Sequence, residues 1–198
     1  GPSFAGERVP TLEEMITNTL PFATPLIERK AGAASVYVNE LRRLNAVTNV
    51  LVQSFDWAFL AAVHALEPNL RLGALGSGTF TVAKLSSITN AGAWRVAWEK
   101  GDVNEDMLNL IHQAGLTLFV WTVDGPAIQT FIDMGVDGII SNDPAAVRQY
   151  QEPTTNGPVN VRDGLLTYWK MDDDAANTTV ADSYPGTRTA TLYGGSIR

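Results

Sequence analysis

Glu28 and Lys30 stand two residues apart at the end of the short apolar run Pro25-Leu26-Ile27. On a strand the side-chain period is two, so their carboxylate and ammonium point the same way. Ionised groups at the end of a buried strand need each other, a metal or an anionic ligand, because an unpaired buried charge is very costly. A carboxylate for a divalent cation beside a lysine for a phosphate is a division of labour suited to phosphoryl chemistry. A strand-end ion pair near solvent is the plainer reading of the same two residues.

The elements that must hold this pair alternate between strand and helix up to Tyr150. Pro10-Thr11-Leu12-Glu13-Glu14 is a capping box that opens a helix running to about Thr19. Leu26 to Lys30 reads as a strand and Ser35 to Asn45 as an amphipathic helix. Asn49 to Phe55 is an apolar strand, and Asp56 caps a helix that ends before Pro68. Leu70–Leu75 and Trp94–Trp98 are further strands, with helices at Thr81–Asn90 and Asn104–Ala114. Leu116 to Val123 is the clearest buried strand, and the helix after it starts near Pro126 and stops at Gly135. Val136 to Ser141 is the last strand, followed by a helix with Asp143 as cap and Pro144 in its first turn.

Strands apolar on both faces, with helices between them, imply parallel βα units around a covered sheet. The fold class is α/β, an incomplete TIM-type (β/α) barrel with about six of the eight βα units, plus a short β-rich C-terminal tail. Residues 1–150 form the barrel part, 151–162 a linker rich in Pro, Thr, Asn and Gly, and 163–198 a β segment. In the tail, Leu165–Met171 and Thr189–Tyr193 are the strand-like runs.

The composition narrows the classes. At 198 residues, 45% hydrophobic and net charge −7, the chain carries a real core but no basic stripe for nucleic acid. Its apolar runs are too short to span a bilayer, and without cysteine it has no disulfide framework or thiolate zinc site. No secretion leader or initiator Met opens it; Gly1-Pro2-Ser3 reads as the middle of something longer or a cloning remnant.

Five stretches in order carry a resemblance. They are Val9–Glu14, Leu26–Lys30, Val52-Gln53-Ser54-Phe55-Asp56, Val120-Trp121-Thr122-Val123 and Gly135–Pro144. Together they resemble the C-terminal two-thirds of a glycerophosphodiester phosphodiesterase domain. The tail, through Gly164–Asp172, Val180-Ala181-Asp182-Ser183 and Leu192-Tyr193-Gly194-Gly195, resembles the opening of a laminin-G/concanavalin-like sandwich.

The first resemblance implies hydrolysis of a small-molecule glycerophosphodiester to glycerol 3-phosphate and an alcohol, with a divalent cation, Mg or Ca. It implies that Glu28 is a metal ligand, that Lys30 holds the substrate phosphate as a catalytic residue, and that Trp121 packs on the glycerol at the pocket mouth. The family's general acid and base are two histidines, one in a His-Arg-Gly motif, and a Glu-x-Asp pair supplies further ligands. All lie upstream of the part matched, so the chain alone is expected to be inactive. His64 and His112 read as outer-layer helix residues instead. Arg29 replaces the family's usual apolar residue and is expected to snorkel to solvent.

Other residues weigh as follows. Gln53 is the candidate for the barrel mouth and for substrate contact, with a buried hydrogen bond to a loop as the alternative. Asp143 reads as a helix cap, Asp137 as the lead into the last strand, and Trp94 and Trp98 as core. Asp172-Asp173-Asp174 fits a solvated loop better than a calcium site. A non-catalytic barrel scaffold of a carbohydrate- or surface-binding protein is the competing function. Open barrel edges also invite self-association or an N-terminal fragment. The tail favours an extracellular, periplasmic or cell-surface location.

Overall fold

A computed structural model describes residues 8–151, 179–181 and 189–191 of the chain. Helix α1 (Leu12–Thr19) starts at a complete capping box: Thr11 Oγ1 accepts from the Glu14 amide, and the Glu14 carboxylate accepts from the Thr11 amide. After β1 (Leu26–Glu28), α2 (Ala34–Arg43) and β2 (Leu51–Ser54), Asp56 accepts from the Phe59 amide and opens α3 (Trp57–Leu66). Then β3 (Arg71–Gly76) leads to α4 (Val82–Asn90), capped by Thr81, and β4 (Arg95–Glu99) to α5 (Glu105–Gln113), capped by Asn104. Strand β5 (Thr117–Trp121), α6 (Ala127–Met134), β6 (Gly138–Ile139) and α7 (Pro144–Gln151) complete the alternation. Gly115 and Gly135 take positive φ where α5 and α6 stop, a conformation other residues resist.

The six strands are all parallel and run β1 to β6 in chain order, the arrangement of neighbouring strands in a (β/α) barrel. One face buries Ile27, Val52, Leu72, Val96, Leu118 and Val120 against the helices. The other is the inner face, where Leu75, Ala97, Phe119 and Ile140 cluster with Trp121. The fold is therefore the expected incomplete TIM-type barrel, six strands against the eight of a closed one.

Strand β6 is much shorter than the 136–141 segment the sequence implies. Asp137 explains part of the difference. Its amide still donates to the Leu118 carbonyl at 2.9 Å, but its side-chain Oδ2 accepts from the Leu118 amide at 2.7 Å, in the place a backbone carbonyl would take. Separately, β7 (Thr179–Ala181) and β8 (Thr189–Thr191) pair antiparallel. The second of these falls inside a predicted β run; Leu165–Met171 and Asp172–Asp174 lie outside the described residues.

Candidate functional site at the carboxyl ends of the strands

Glu28 is the last residue of β1 and lies in register with Gln53 of β2. Ile27 before it packs outward in the helix-side core, so alternation turns Glu28 to the inner face. The Arg29 amide donates to the Gln53 carbonyl at 2.9 Å, carrying the ladder one residue further and fixing where Lys30 emerges. Lys30 Nζ then meets Glu28 Oε1 at 2.6 Å. The carboxylate side chain is 15% exposed and the lysine side chain 78%, so one partner is held against the sheet and the other reaches into water.

Gln53 is almost wholly buried, and its Oε1 has no hydrogen-bond partner among the described residues. Ser54 turns the other way and accepts from the Asp56 amide. Trp121 ends β5, with Nε1 donating to the Ala97 carbonyl at 3.0 Å. Glu28, Lys30 and Gln53 thus come together on adjacent strands, while Trp121 stands on the fifth. Phe55, exposed just past β2, meets the Trp121 ring edge to face at 5.8 Å. Sequence reasoning left Phe55 out of the site, although two residues past Gln53 is the spacing that puts it on the same face. Glu99, in register with Trp121 and accepting from the Gly101 amide, was likewise passed over.

Arg29 corrects an expectation. Rather than snorkelling to solvent, its guanidinium pairs with Asp56 at 2.9 Å, donates to the Gly32 carbonyl and lies 4.5 Å over the Phe59 ring. The physical reason is the cap of α3: Asp56 already faces the β1 loop, and an arginine can satisfy it while covering an aromatic face. The two histidines lie away from the mouth. His64 packs against Gly92, where any Cβ would overlap its ring, and His112 Nε2 is 2.8 Å from Asp137, beside the start of β6.

A further carboxylate organises the loops above β5 and β6. Asp124 accepts from Ser141 Oγ at 2.6 Å and from the amide and side-chain nitrogen of Asn142 at 2.8 and 2.7 Å. Partial burial raises its pKa, but these hydrogen bonds outweigh that and leave it below the ordinary aspartate value. A depressed folded-state pKa contributes stability that is complete above the unfolded value, about 4, and is lost as pH falls through the folded one. We expect Asp124→Ala to cost about 1 kcal/mol at pH 7, modest because the group is exposed. That deficit should shrink below about pH 4 in denaturant melts of the two proteins; a deficit constant from pH 7 to pH 3 contradicts it.

The family resemblance implies a divalent cation, and the described residues do not by themselves fit one. Glu28 Oε1 is engaged by Lys30, and no three potential ligands cluster among the described residues. A hard cation takes six or more oxygens, of which the described residues bring together one carboxylate and the unpartnered Gln53 carbonyl oxygen.

The arrangement defines a class: a parallel β/α half-barrel with a charged pair and an aromatic pair at the carboxyl ends of its strands, where such barrels place their chemistry. Residues 2–146 match the Glycerophosphoryl diester phosphodiesterase family, and the chain belongs to it. It is 30% identical over 159 residues to a glycerophosphodiester phosphodiesterase of Bacillus subtilis, covering 72% of this chain and 54% of that one. The fold is shared with a glycerophosphodiester phosphodiesterase of Parabacteroides distasonis, at TM-score 0.62 and 22% identity, covering 71% of this chain and 63% of the other. It is also shared with an Oleispira antarctica phosphodiesterase solved with the product sn-glycerol-3-phosphate, at TM-score 0.63 and 18% identity, covering 72% and 61%. The chain spans between 54% and 63% of the length of the curated relatives it matches.

Proposed function

We propose that the chain is part of a phosphodiesterase that hydrolyses glycerophosphodiesters to glycerol 3-phosphate and an alcohol, and that its share of the work is to hold the substrate. The observation that carries this reading is the Glu28–Lys30 pair at the strand ends of a domain of this family, 2.6 Å apart, with Glu28 in register with the buried Gln53. Lys30 is the phosphate partner: its ammonium is close enough to solvent to reach a ligand and neutralises charge on the phosphoryl oxygens. Glu28 holds the ammonium in place until an anion competes for it. Gln53, almost wholly buried beside Glu28 on the next strand, supports the position of that carboxylate from below. Trp121 and Phe55 offer an apolar wall for the glycerol carbons.

Hydrolysis also needs a proton acceptor and donor at the mouth, and both histidines of this chain lie elsewhere. We therefore expect purified, mass-verified chain to release no glycerol 3-phosphate from glycerophosphocholine above background, with magnesium or calcium supplied. Sustained turnover at an ordinary enzymatic rate, about 1 per second or more, refutes the inactivity and would require a proton-transfer group other than these histidines.

A further inference from the structure

The loop that carries Lys30 is held from the side facing away from the mouth. Arg29 follows Glu28 and shares the helix-facing side of β1 with Ile27, so alternation turns it away from Glu28 and Lys30. Its guanidinium reaches two anchors there: Nη1 meets Asp56 Oδ2 at 2.9 Å, and Nε donates to the Gly32 carbonyl at 3.1 Å. The carbonyl of Ala31 accepts from the Tyr37 hydroxyl at 2.9 Å. Before the loop begins, the Arg29 amide is already tied to the Gln53 carbonyl of β2. Residues 29, 31 and 32 are thus each fixed, and Lys30 stands among them with its ammonium on Glu28.

The anchors are themselves well held. Asp56 Oδ1 accepts from the Phe59 amide at the start of α3 while Oδ2 takes the arginine, so one carboxylate is both helix cap and ion-pair partner. Its amide donates to Ser54 Oγ, closing the corner after β2. The Arg29 guanidinium lies over the Phe59 ring, which is 6% exposed, and Tyr37 meets the same ring edge to face at 5.3 Å. An apolar residue at position 29 could cover Phe59 but could reach neither Asp56 nor the Gly32 carbonyl. Nor is Arg29 placed to bind phosphate itself, since its Nε and Nη1 already donate on the helix side.

We propose that Arg29 and Asp56 form a brace that positions Lys30 for the phosphate, which makes Arg29 a positioning residue set between the two site residues. The proposal rests on Lys30 being the phosphate partner. Its physical basis is entropic. A long, solvated side chain on a loose loop loses both backbone and rotamer freedom when it closes on an anion. A loop already fixed on its far side leaves only the rotamers to be ordered. Releasing the brace should therefore weaken anion binding by about fivefold without altering a group that touches the ligand.

Charge separates a brace from plain electrostatics. Arg29→Met removes a positive charge and Asp56→Asn a negative one, and asparagine keeps the helix cap. Attraction through space predicts weaker binding of sn-glycerol 3-phosphate in the first variant and tighter binding in the second. The brace predicts weaker binding in both, about fivefold by titration calorimetry with chelator present, and no further loss from either in a Lys30→Met background. Backbone order parameters of Lys30, Ala31 and Gly32 from amide nitrogen relaxation should fall in both variants, from about 0.85 towards 0.6, while circular dichroism stays that of the unsubstituted chain. Opposite signs in the two variants, unmoved order parameters, or a full loss added on top of Lys30→Met each overturn the brace. Unchanged affinity in both variants beside a loss of about tenfold in Lys30→Met overturns the brace alone and keeps Lys30 at the phosphate. No loss in Lys30→Met, or no binding by the unsubstituted chain, overturns both readings.

Discussion

Gly76→Ala should lower the thermal midpoint by roughly 6–12 °C, while Gly73→Ala, three residues earlier on the same strand, leaves it within about 2 °C. A Cβ on Gly76 would overlap the six-membered ring of Trp98, its register partner on β4. That ring cannot step aside. It is 1% exposed, its Nε1 donates to the Gly78 carbonyl at 2.8 Å, Phe80 meets it edge to face at 5.0 Å, and Trp57 closes the remaining side at 6.3 Å. Forcing a methyl into a packed site of this kind costs about 3 kcal/mol. At Gly73 the new methyl instead meets Gln53 Cβ at 3.4 Å and Leu51 Cδ2 at 3.5 Å, ordinary contacts, and alanine restricts the unfolded chain. Differential scanning calorimetry of the two single variants checks the pair; equal midpoints would mean that the Trp98 ring is free to move.

The same two glycines show where sequence reasoning stops. The strand holding them is legible from its apolar run, and so is the parallel alternation, because periods of 2 and 3.6 are local properties of the chain. Caps are local too, which is why Thr11, Asp56 and Asp143 were identifiable before any coordinates. Glu28 and Lys30 could be placed on one face for the same reason. What Gly76 must avoid is a residue 22 positions away, and that neighbour depends on register, which no short window contains. Arg29 was misread for a related reason: its partner Asp56 is 27 residues distant and is brought alongside only when β1 pairs with β2. Gln53 could be singled out from its polar character in an apolar strand, but that Arg95 and Thr117 share its rung depends on register across β2 to β5, which no short window contains. Asp124 escaped notice because its partners, Ser141 and Asn142, lie on the loop after the next strand.

Lys30→Met should weaken binding of sn-glycerol 3-phosphate by about tenfold, and Glu28→Gln should strengthen it in the presence of a chelator. The argument starts from the 2.6 Å contact between the two side chains and their unequal exposure. An anion arriving at Lys30 competes with a carboxylate already in place, and the carboxylate repels it. Neutralising Glu28 removes both penalties and leaves the amide able to accept from the same ammonium, so the lysine stays positioned. Removing the ammonium has the opposite effect and leaves Glu28 facing the phosphate without a counter-charge. The effect stops near tenfold because Lys30 is largely solvated, where a charge-assisted contact is worth about 1–1.5 kcal/mol rather than the larger value of a buried one. Solvation also makes it salt-sensitive: raising ionic strength from 0.01 to 0.15 M shortens the screening length from about 30 to 8 Å and should erase part of the difference. Titration calorimetry at the two salt concentrations, with chelator throughout, separates the cases. Unchanged affinity in Lys30→Met removes the lysine from the phosphate site. Weaker binding in Glu28→Gln without any metal present instead gives the carboxylate a direct part in holding the glycerol hydroxyls.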